Sequence, residues 1–372
     1  MFYILIFIVL IFIFVILLSK FFLKKKNKIL PHAEVEYITK DYVLEKEFNP
    51  DLEDLAFYGQ KMIKANVTDI FFVHGTFVGD DPFDIVSLLG NVLPKKFHFI
   101  ESKLKSYLKK SQDFFARDLG NFTQEHLSLV FSMGQAKINP HLVFWSSGNH
   151  HMARVRGCLT LMLKLDSLEK KSKALLIGHS HGGQIFALLT RFMANPSELN
   201  EILTKLEFEK TEIENYLSIV KKLNKISLDI VTLGAPARYQ WYSLDNMRLI
   251  HFINHRNNTI YGGDFSGAIF TKHGDYVQQW GVAGSDIKPP SKKEQKFNDI
   301  LADHLGESGR LAELKDGLSK KNRLHNLGVH LLIDYGDDAY CPNFFRTILG
   351  HACYTRIRHF KLLLQLIVQK LY

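Results

Sequence analysis

Lys173-Ala174-Leu175-Leu176-Ile177-Gly178-His179-Ser180-His181-Gly182-Gly183-Gln184-Ile185-Phe186-Ala187-Leu188-Leu189 is the stretch on which the reading of the fold turns. Its first part, Lys173 to Ile177, is apolar on both faces, as a strand buried between two helix layers must be. Its last part carries the apolar density of a packed helix. Gly178-x-Ser180-x-Gly182 lies between them, which is G-x-S-x-G in a strand-turn-helix setting. A serine in such a turn occupies a strained backbone and lifts its hydroxyl above the sheet. Its neighbours two positions away pass so close that side chains there would collide, which accounts for Gly178 and Gly182. Gly183 extends the permissive surface where the helix leaves the strand.

Outward from that stretch, short apolar runs alternate with helical patterns, the signature of βαβ units and an α/β fold. Strands are expected at Asp69–Val73, Leu142–Trp145, Lys173–Ile177, Leu228–Leu233, Leu249–Ile253 and Val329–Ile333. Helices are expected at Met152–Leu168, Gln184–Met193 and His359–Leu371. The last is too densely apolar for a solvated helix and should pack on the sheet. Residues 24–65, with Pro31 and Pro50, read as a basic juxtamembrane segment and connector, and 66–372 as one catalytic domain. Two charged, helix-periodic stretches, 197–225 and 285–326, read as insertions, either a cap over a site or solvated surface helices.

Phe71-Phe72-Val73-His74-Gly75-Thr76-Phe77 places a His-Gly turn at the end of a buried strand. Such a turn can supply an oxyanion hole: one backbone N–H from Thr76 or Phe77 and one from His181, just after the serine. These motifs, together with Val231-Thr232-Leu233-Gly234-Ala235-Pro236, resemble the oxyanion turn, nucleophile elbow and following strand of lipase and esterase members of the α/β-hydrolase superfamily. The resemblance covers roughly residues 67 to 372. It implies a mostly parallel central sheet flanked by helices, no cofactor, and a Ser, acid, His order along the chain with the acid after a late strand and the histidine after the last.

Ser180 is then the nucleophile. His351, in a loop-like segment just before the final helix, is the favoured base, with His325 and His330 as alternatives. Asp334, ending the run His330-Leu331-Leu332-Ile333, is the favoured acid, and Asp337 and Asp338 are close alternatives. After the strand ending near Ile253 the chain departs from the lipase pattern, reading Asn254-His255-Arg256-Asn257-Asn258 with no carboxylate until Asp264. Asp264 and Asp275 therefore stay open.

His179-x-His181 has the spacing of a metal-binding pair, with His74, His150 and His151 as conceivable partners, but no third ligand follows at close range. No metal is expected, and hydrogen-bonded structural histidines are the simpler reading. Trp145, Trp241 and Trp280 read as core. Cys158, Cys341 and Cys353 are odd in number and lack metal-ligand spacing, so they imply no disulfide framework.

The N-terminus carries a separate message. Phe2 to Leu18 is an unbroken apolar run that resumes at Phe21 to Leu23, long enough at roughly 27 Å to span a hydrocarbon core. Residues 1–23 are expected to be a single transmembrane anchor, since a basic n-region and a small-x-small cleavage site are both missing. Lys20, Lys24, Lys25, Lys26 and Lys28 follow it, which by the positive-inside rule puts the body on the cytoplasmic face and offers contact with anionic lipid. Without these five lysines the formal charge of +9 falls to +4, too little to argue for nucleic acid.

The expected activity is therefore hydrolysis of a carboxylic ester, small-molecule or lipid-derived, through an acyl-serine intermediate beside the bilayer. Two other classes stand against it: a catalytically inactive membrane-anchored interaction protein that keeps the fold, and a metallohydrolase using the clustered histidines.

Overall fold

A computed structural model of the protein describes residues 34–45, 52–75, 122–134, 137–169, 172–256, 273–281, 286, 289, 291–306, 324–336 and 350–372. Seven strands form one parallel sheet: β1 (Glu34–Ile38), β2 (Val67–Val73), β3 (Asn139–Val143), β4 (Lys173–His179), β5 (Ser227–Leu233), β6 (Met247–Asn254) and β7 (Val329–Ile333). They lie side by side in the order β1-β7-β6-β5-β4-β2-β3, and every neighbouring pair is parallel. The protein is an α/β fold.

Because the sheet is parallel, its crossovers lay helices on its faces, apart from the helix-free connection between β5 and β6, and alternate strand residues point to different helix layers. Phe71, Val73, Leu176 and Ile230 face a layer built from α4 (His151–Leu165), α5 (His181–Ala194), α6 (Pro196–Lys205), α7 (Lys210–Leu223) and α9 (Lys292–Leu305). Ile70, Phe72, Leu175, Ile177, Val231, Leu233, Phe252 and Leu331 face the other layer, formed by α1 (Lys40–Glu45), α2 (Leu52–Lys64), α3 (Gln124–Gly134) and α10 (Ile357–Leu371). Helix α10 buries Phe360, Leu363, Leu364 and Ile367 there, as its apolar density required. One short helix, α8 (Tyr276–Gly281), follows the sixth strand.

The stretch 197–225 is no overhanging cap. It forms α6 and α7, whose buried Leu199, Ile202, Leu203, Ile219, Val220 and Leu223 belong to the same core as α4 and α5. Within 285–326, α9 also enters that layer through Phe297 and Leu301.

All six expected strands are present. β3 lies three residues earlier at its start than the apolar run suggests, taking in Pro140, which an edge strand tolerates. The seventh strand, β1, falls in what reads as a connector. It pairs with β7 in register Glu34 to Val329 through Ile38 to Ile333, so β7 is an interior strand.

Strand order also locates a crevice. From β2 the chain moves outward to β3, then crosses back to β4 on the other side of β2, and from there advances through β5, β6 and β7. The reversal lies between β2 and β4, and ligands of open α/β sheets bind beyond the carboxyl ends of the strands at such a switch point. His74-Gly75 ends one of these strands and His179-Ser180 the other.

The expected anchor, residues 1–23, lies outside the described residues, as do Thr76, Phe77, Asp264, Asp337 and Asp338. Among the described residues no helix is long and apolar enough to cross a membrane.

Candidate active site

Ser180 sits between the last residue of β4 and the first of α5 with φ 53° and ψ −126°. This is left-handed territory for a residue with a Cβ, strain of the kind that functional turns hold in place. The backbone is pinned from the neighbouring strand, Ser180 N–H donating to Leu233 O at 2.8 Å. Two glycines make the turn possible by close approach. A Cβ on Gly182 would stand 2.5 Å from Val73 O, and one on Gly178 would stand 2.9 Å from Gly182 C. Both contacts are to backbone that has nowhere to move.

The turn after β2 is held just as firmly. The buried His74 ring donates from Nδ1 to Gly75 O at 2.9 Å and accepts Trp145 N–H at Nε2, 3.2 Å away. It lies nearly parallel to the Trp145 indole, whose Nε1–H donates to His74 O at 2.8 Å. Burial brings its pKa down to about 4, so the ring is a neutral bolt at physiological pH. Thr76 and Phe77 follow directly, and His181 opens α5, where first-turn N–H groups have no carbonyl within their own helix.

His351 lies beside this elbow. Its ring centroid is 4.7 Å from that of His179, and His179 Nε2–H donates to His351 O at 3.2 Å. Burial first, and then the neighbouring His351, hold the His179 ring well below the usual histidine range, so it acts as a neutral prop. On its other side His351 Nδ1–H donates to Asp275 Oδ2 at 2.7 Å, with both side chains fully buried. The same carboxylate accepts Tyr354 OH at 2.7 Å on Oδ2 and Gln278 N–H at 2.8 Å on Oδ1.

Asp275 reaches this place by a detour. The backbone leaves β6 at Asn254 and returns through an antiparallel bridge between His255 and Gly274, after which Asp275 N–H donates to Asn254 O at 2.9 Å. The carboxylate thereby stands at the end of β6, as if it followed the strand directly. Asn254 secures the other partner too, its Nδ2–H donating to Gly350 O at 2.8 Å.

Asp334, the expected acid, is engaged elsewhere. Its carboxylate pairs with Arg256 Nε at 3.3 Å and accepts Gly336 N–H at 2.9 Å, while its own N–H donates to Ile38 O across the junction with β1. The carboxylate on His351 is Asp275, one of the alternatives left open. His325 and His330 also lie away from any carboxylate partner shown, in a stack of three rings with His251.

Compared with known proteins, the chain matches no protein-family model, no curated protein and no solved structure.

What surrounds Ser180 is electrostatically ordered. Arg154, fully buried on the first turn of α4, pairs with Asp286 at 2.6 Å, and Arg238 reaches the same carboxylate at 3.0 Å. Burial opposes the charge on Asp286, but these two guanidinium groups hold its pKa at about 2. Burial and then Arg154 push His181 well below the usual histidine range. Tyr239 OH accepts from Arg154 Nε at 2.8 Å and donates to His151 Nδ1 at 2.6 Å, and His151 Nε2–H donates to Gly306 O at 2.8 Å. His150 caps α4, its Nδ1 accepting Ala153 N–H at 3.2 Å. His74 and His151 thus have both ring nitrogens committed to protein partners, and His150 has its Nδ1 committed. Among the described residues no cluster of three or more His, Cys, Asp or Glu side chains is arranged to hold a metal ion.

Chemically, the arrangement offers a strained serine, an imidazole beside it, and a carboxylate that fixes the imidazole from behind. Ser180 Oγ is buried and has no hydrogen-bond partner among the described residues. Catalytic hydrogen bonds commonly form or tighten only when substrate arrives.

Proposed function

We propose that this protein is a serine hydrolase of the α/β-hydrolase fold that cleaves a carboxylic ester. The observation that carries the reading is the His351–Asp275 pair, 2.7 Å apart and buried beside a serine held at φ 53°. The chain order Ser180, Asp275, His351 is the order of that superfamily, with the acid after β6 and the base after β7. The position of the nucleophile strand next to β2, with β3 outside it, supports the same reading.

In this mechanism His351 Nε2 takes the proton of Ser180 Oγ as the oxygen attacks the ester carbonyl. Charge developing on the carbonyl oxygen is met by backbone N–H groups of His181 and of Thr76 or Phe77. His351 then gives the proton to the departing alcohol, leaving an acyl-Ser180 ester, and water activated by the same ring releases the acid. Asp275 keeps the proton on Nδ1, so that Nε2 is the basic nitrogen. Thioester hydrolysis and acyl transfer would use the same groups.

The apolar run of residues 1–23 with its trailing lysines supports a single-pass anchor holding the body on the cytoplasmic face, next to esters dissolved in the bilayer. The test uses a fluorophosphonate probe on the full chain in membranes. Wild type should be labelled and Ser180→Ala should not, and the labelled band should stay with the membrane after an alkaline wash. A folded wild type that takes no label would sink the hydrolase reading, and a band released by the wash would sink the anchor.

A further inference from the structure

Tyr354 occupies a position the mechanism above does not use. Its hydroxyl donates to Asp275 Oδ2, the oxygen that also accepts His351 Nδ1–H, and both bonds are 2.7 Å long. The same hydroxyl accepts Asn254 N–H at 2.8 Å, which ties the phenol to the end of β6. The ring is fully buried and meets Tyr335 edge-on, with centroids 5.5 Å apart. Burial, and then the charge of Asp275, push the phenol well above its usual range, so it remains a donor across the working pH of any hydrolase.

Two donors on one carboxylate oxygen compete for the same negative charge. A hydrogen bond from a neutral phenol stabilises the carboxylate and weakens its pull on the imidazolium that forms opposite. We propose that Tyr354 is a positioning residue of this site: by donating to the oxygen that holds His351, it fixes the carboxylate and tempers it, setting the pH range in which His351 accepts the Ser180 proton. The inference rests on the hydrolase reading for its catalytic meaning and on the hydrogen-bond geometry alone for the clamp itself.

The other titratable groups facing this pair come from several elements. From β4, His179 lies over both His351 and Tyr354. At the start of α5, His181 bears electrostatically on His351. Cys353 adjoins Tyr354 in the chain and is itself under the influence of Arg356 and Arg256. His179 and His181 are held well below the neutral range, and Cys353 and Tyr335 well above theirs, mainly by burial. Near neutrality none of these four changes charge, so a shift in the profile reports on the clamp.

The experiment follows hydrolysis of p-nitrophenyl butyrate against pH by the full chain in detergent. It compares wild type, Tyr354→Phe, and a protein with a ring-fluorinated tyrosine at position 354. Loss of the hydroxyl should move the acid limb of kcat/KM up by about half to one pH unit and lower kcat about tenfold at neutral pH, a fraction of what a general base contributes, with KM unchanged. The fluorinated ring keeps the shape and donates more strongly, so its acid limb should move down. If both variants melt as wild type does and neither moves the limb, Tyr354 is only structural and the proposal fails. Proton NMR of the downfield His351 Nδ1–H separates this from failure of the hydrolase reading. Should wild type neither label nor turn over, that resonance must still shift in Tyr354→Phe, and an unmoved resonance overturns the clamp.

Discussion

Two groups of buried histidines sit on this sheet, and they differ in what lies against their nitrogens. At the end of β4, His351 packs its ring at a tilt against His179 and has a carboxylate on Nδ1. Across β5, β6 and β7, the register sets Thr232, His251 and His330 in one row, with His325 stacked on His251 at 3.9 Å between centroids. That second group is bonded only to neutral partners. Thr232 Oγ1 lies 2.7 Å from His251 Nδ1, His251 Nε2–H donates to Leu327 O at 3.0 Å, Trp241 Nε1–H donates to His325 Nδ1 at 3.0 Å, and His325 N–H donates to His330 Nε2 at 2.9 Å. Burial, and then the other histidines of the row, hold His251 and His325 well below the usual range. Stacked imidazoles with no carboxylate can carry structure but cannot carry a proton through a reaction, because each added charge would face the next ring in a dry interior. The two groups share burial and differ in the carboxylate, which only the first has on a ring nitrogen among the described residues.

The contrast is easiest to break at its carboxylate. Asp275→Asn should lower kcat by about three to four orders of magnitude, because the amide no longer holds the proton on Nδ1. His325→Gln should leave kcat within about threefold, since it changes only packing and stability. Equal losses from the two substitutions, measured as ester turnover at neutral pH, would erase the distinction between the groups.

A subtler prediction concerns acid. The pKa of His330 falls from 6.5 to about 4 in the folded protein, chiefly through burial, so between those pH values the unfolded chain binds the proton and the folded one resists it. Stability is fully present above pH 6.5 and falls as pH drops toward 4. His330→Gln should remove about 3 kcal/mol of that dependence, read as a flatter curve of urea midpoint against pH. A curve as steep as wild type would show that His330 is not held neutral by the fold. The smallest effect is expected at the carboxylate that pairs with Arg256. Asp334→Asn should change kcat less than about twofold and cost no more than about 1 kcal/mol, as partly exposed ion pairs do. A loss of activity approaching that of Asp275→Asn would return Asp334 to the role the sequence suggests for it.

That suggestion and the strand β1 meet at one place in the structure, the pairing of β1 with β7. Glu34-Val35-Glu36-Tyr37-Ile38 is a half-exposed edge strand with charges in its run, and nothing local separates it from a connector. Asp334 is favoured in the sequence because it ends the run His330-Leu331-Leu332-Ile333, and that run says nothing of the strand beside it. In fact the Asp334 backbone continues the pairing toward β1. The buried strands were legible because two-sided burial writes itself into composition, and the elbow because only glycine fits beside Ser180. His351 was legible from its place before the last helix. The sequence leaves Asp275 among alternatives because a pairing between His255 and Gly274 brings it to β6, and contacts distant in sequence leave no periodic trace. Tyr354 leaves no sequence signal for a similar reason, since its partners Asn254 and Asp275 are distant in the chain, whereas His179 is a hydrogen-bonded structural histidine, as its sequence reading has it.

The bridge between His255 and Gly274 also changes how the acid is inherited. Its position is defined by two backbone pairings at the strand end, so the length of chain spliced between them is a nearly independent variable. Closing a longer excursion costs only a slowly growing entropy, so the registration of Asp275 against Asn254 depends little on how much chain separates His255 from Gly274. The strand end is in that sense built with a socket, in which Asp275 keeps its address whatever length of chain separates it from β6.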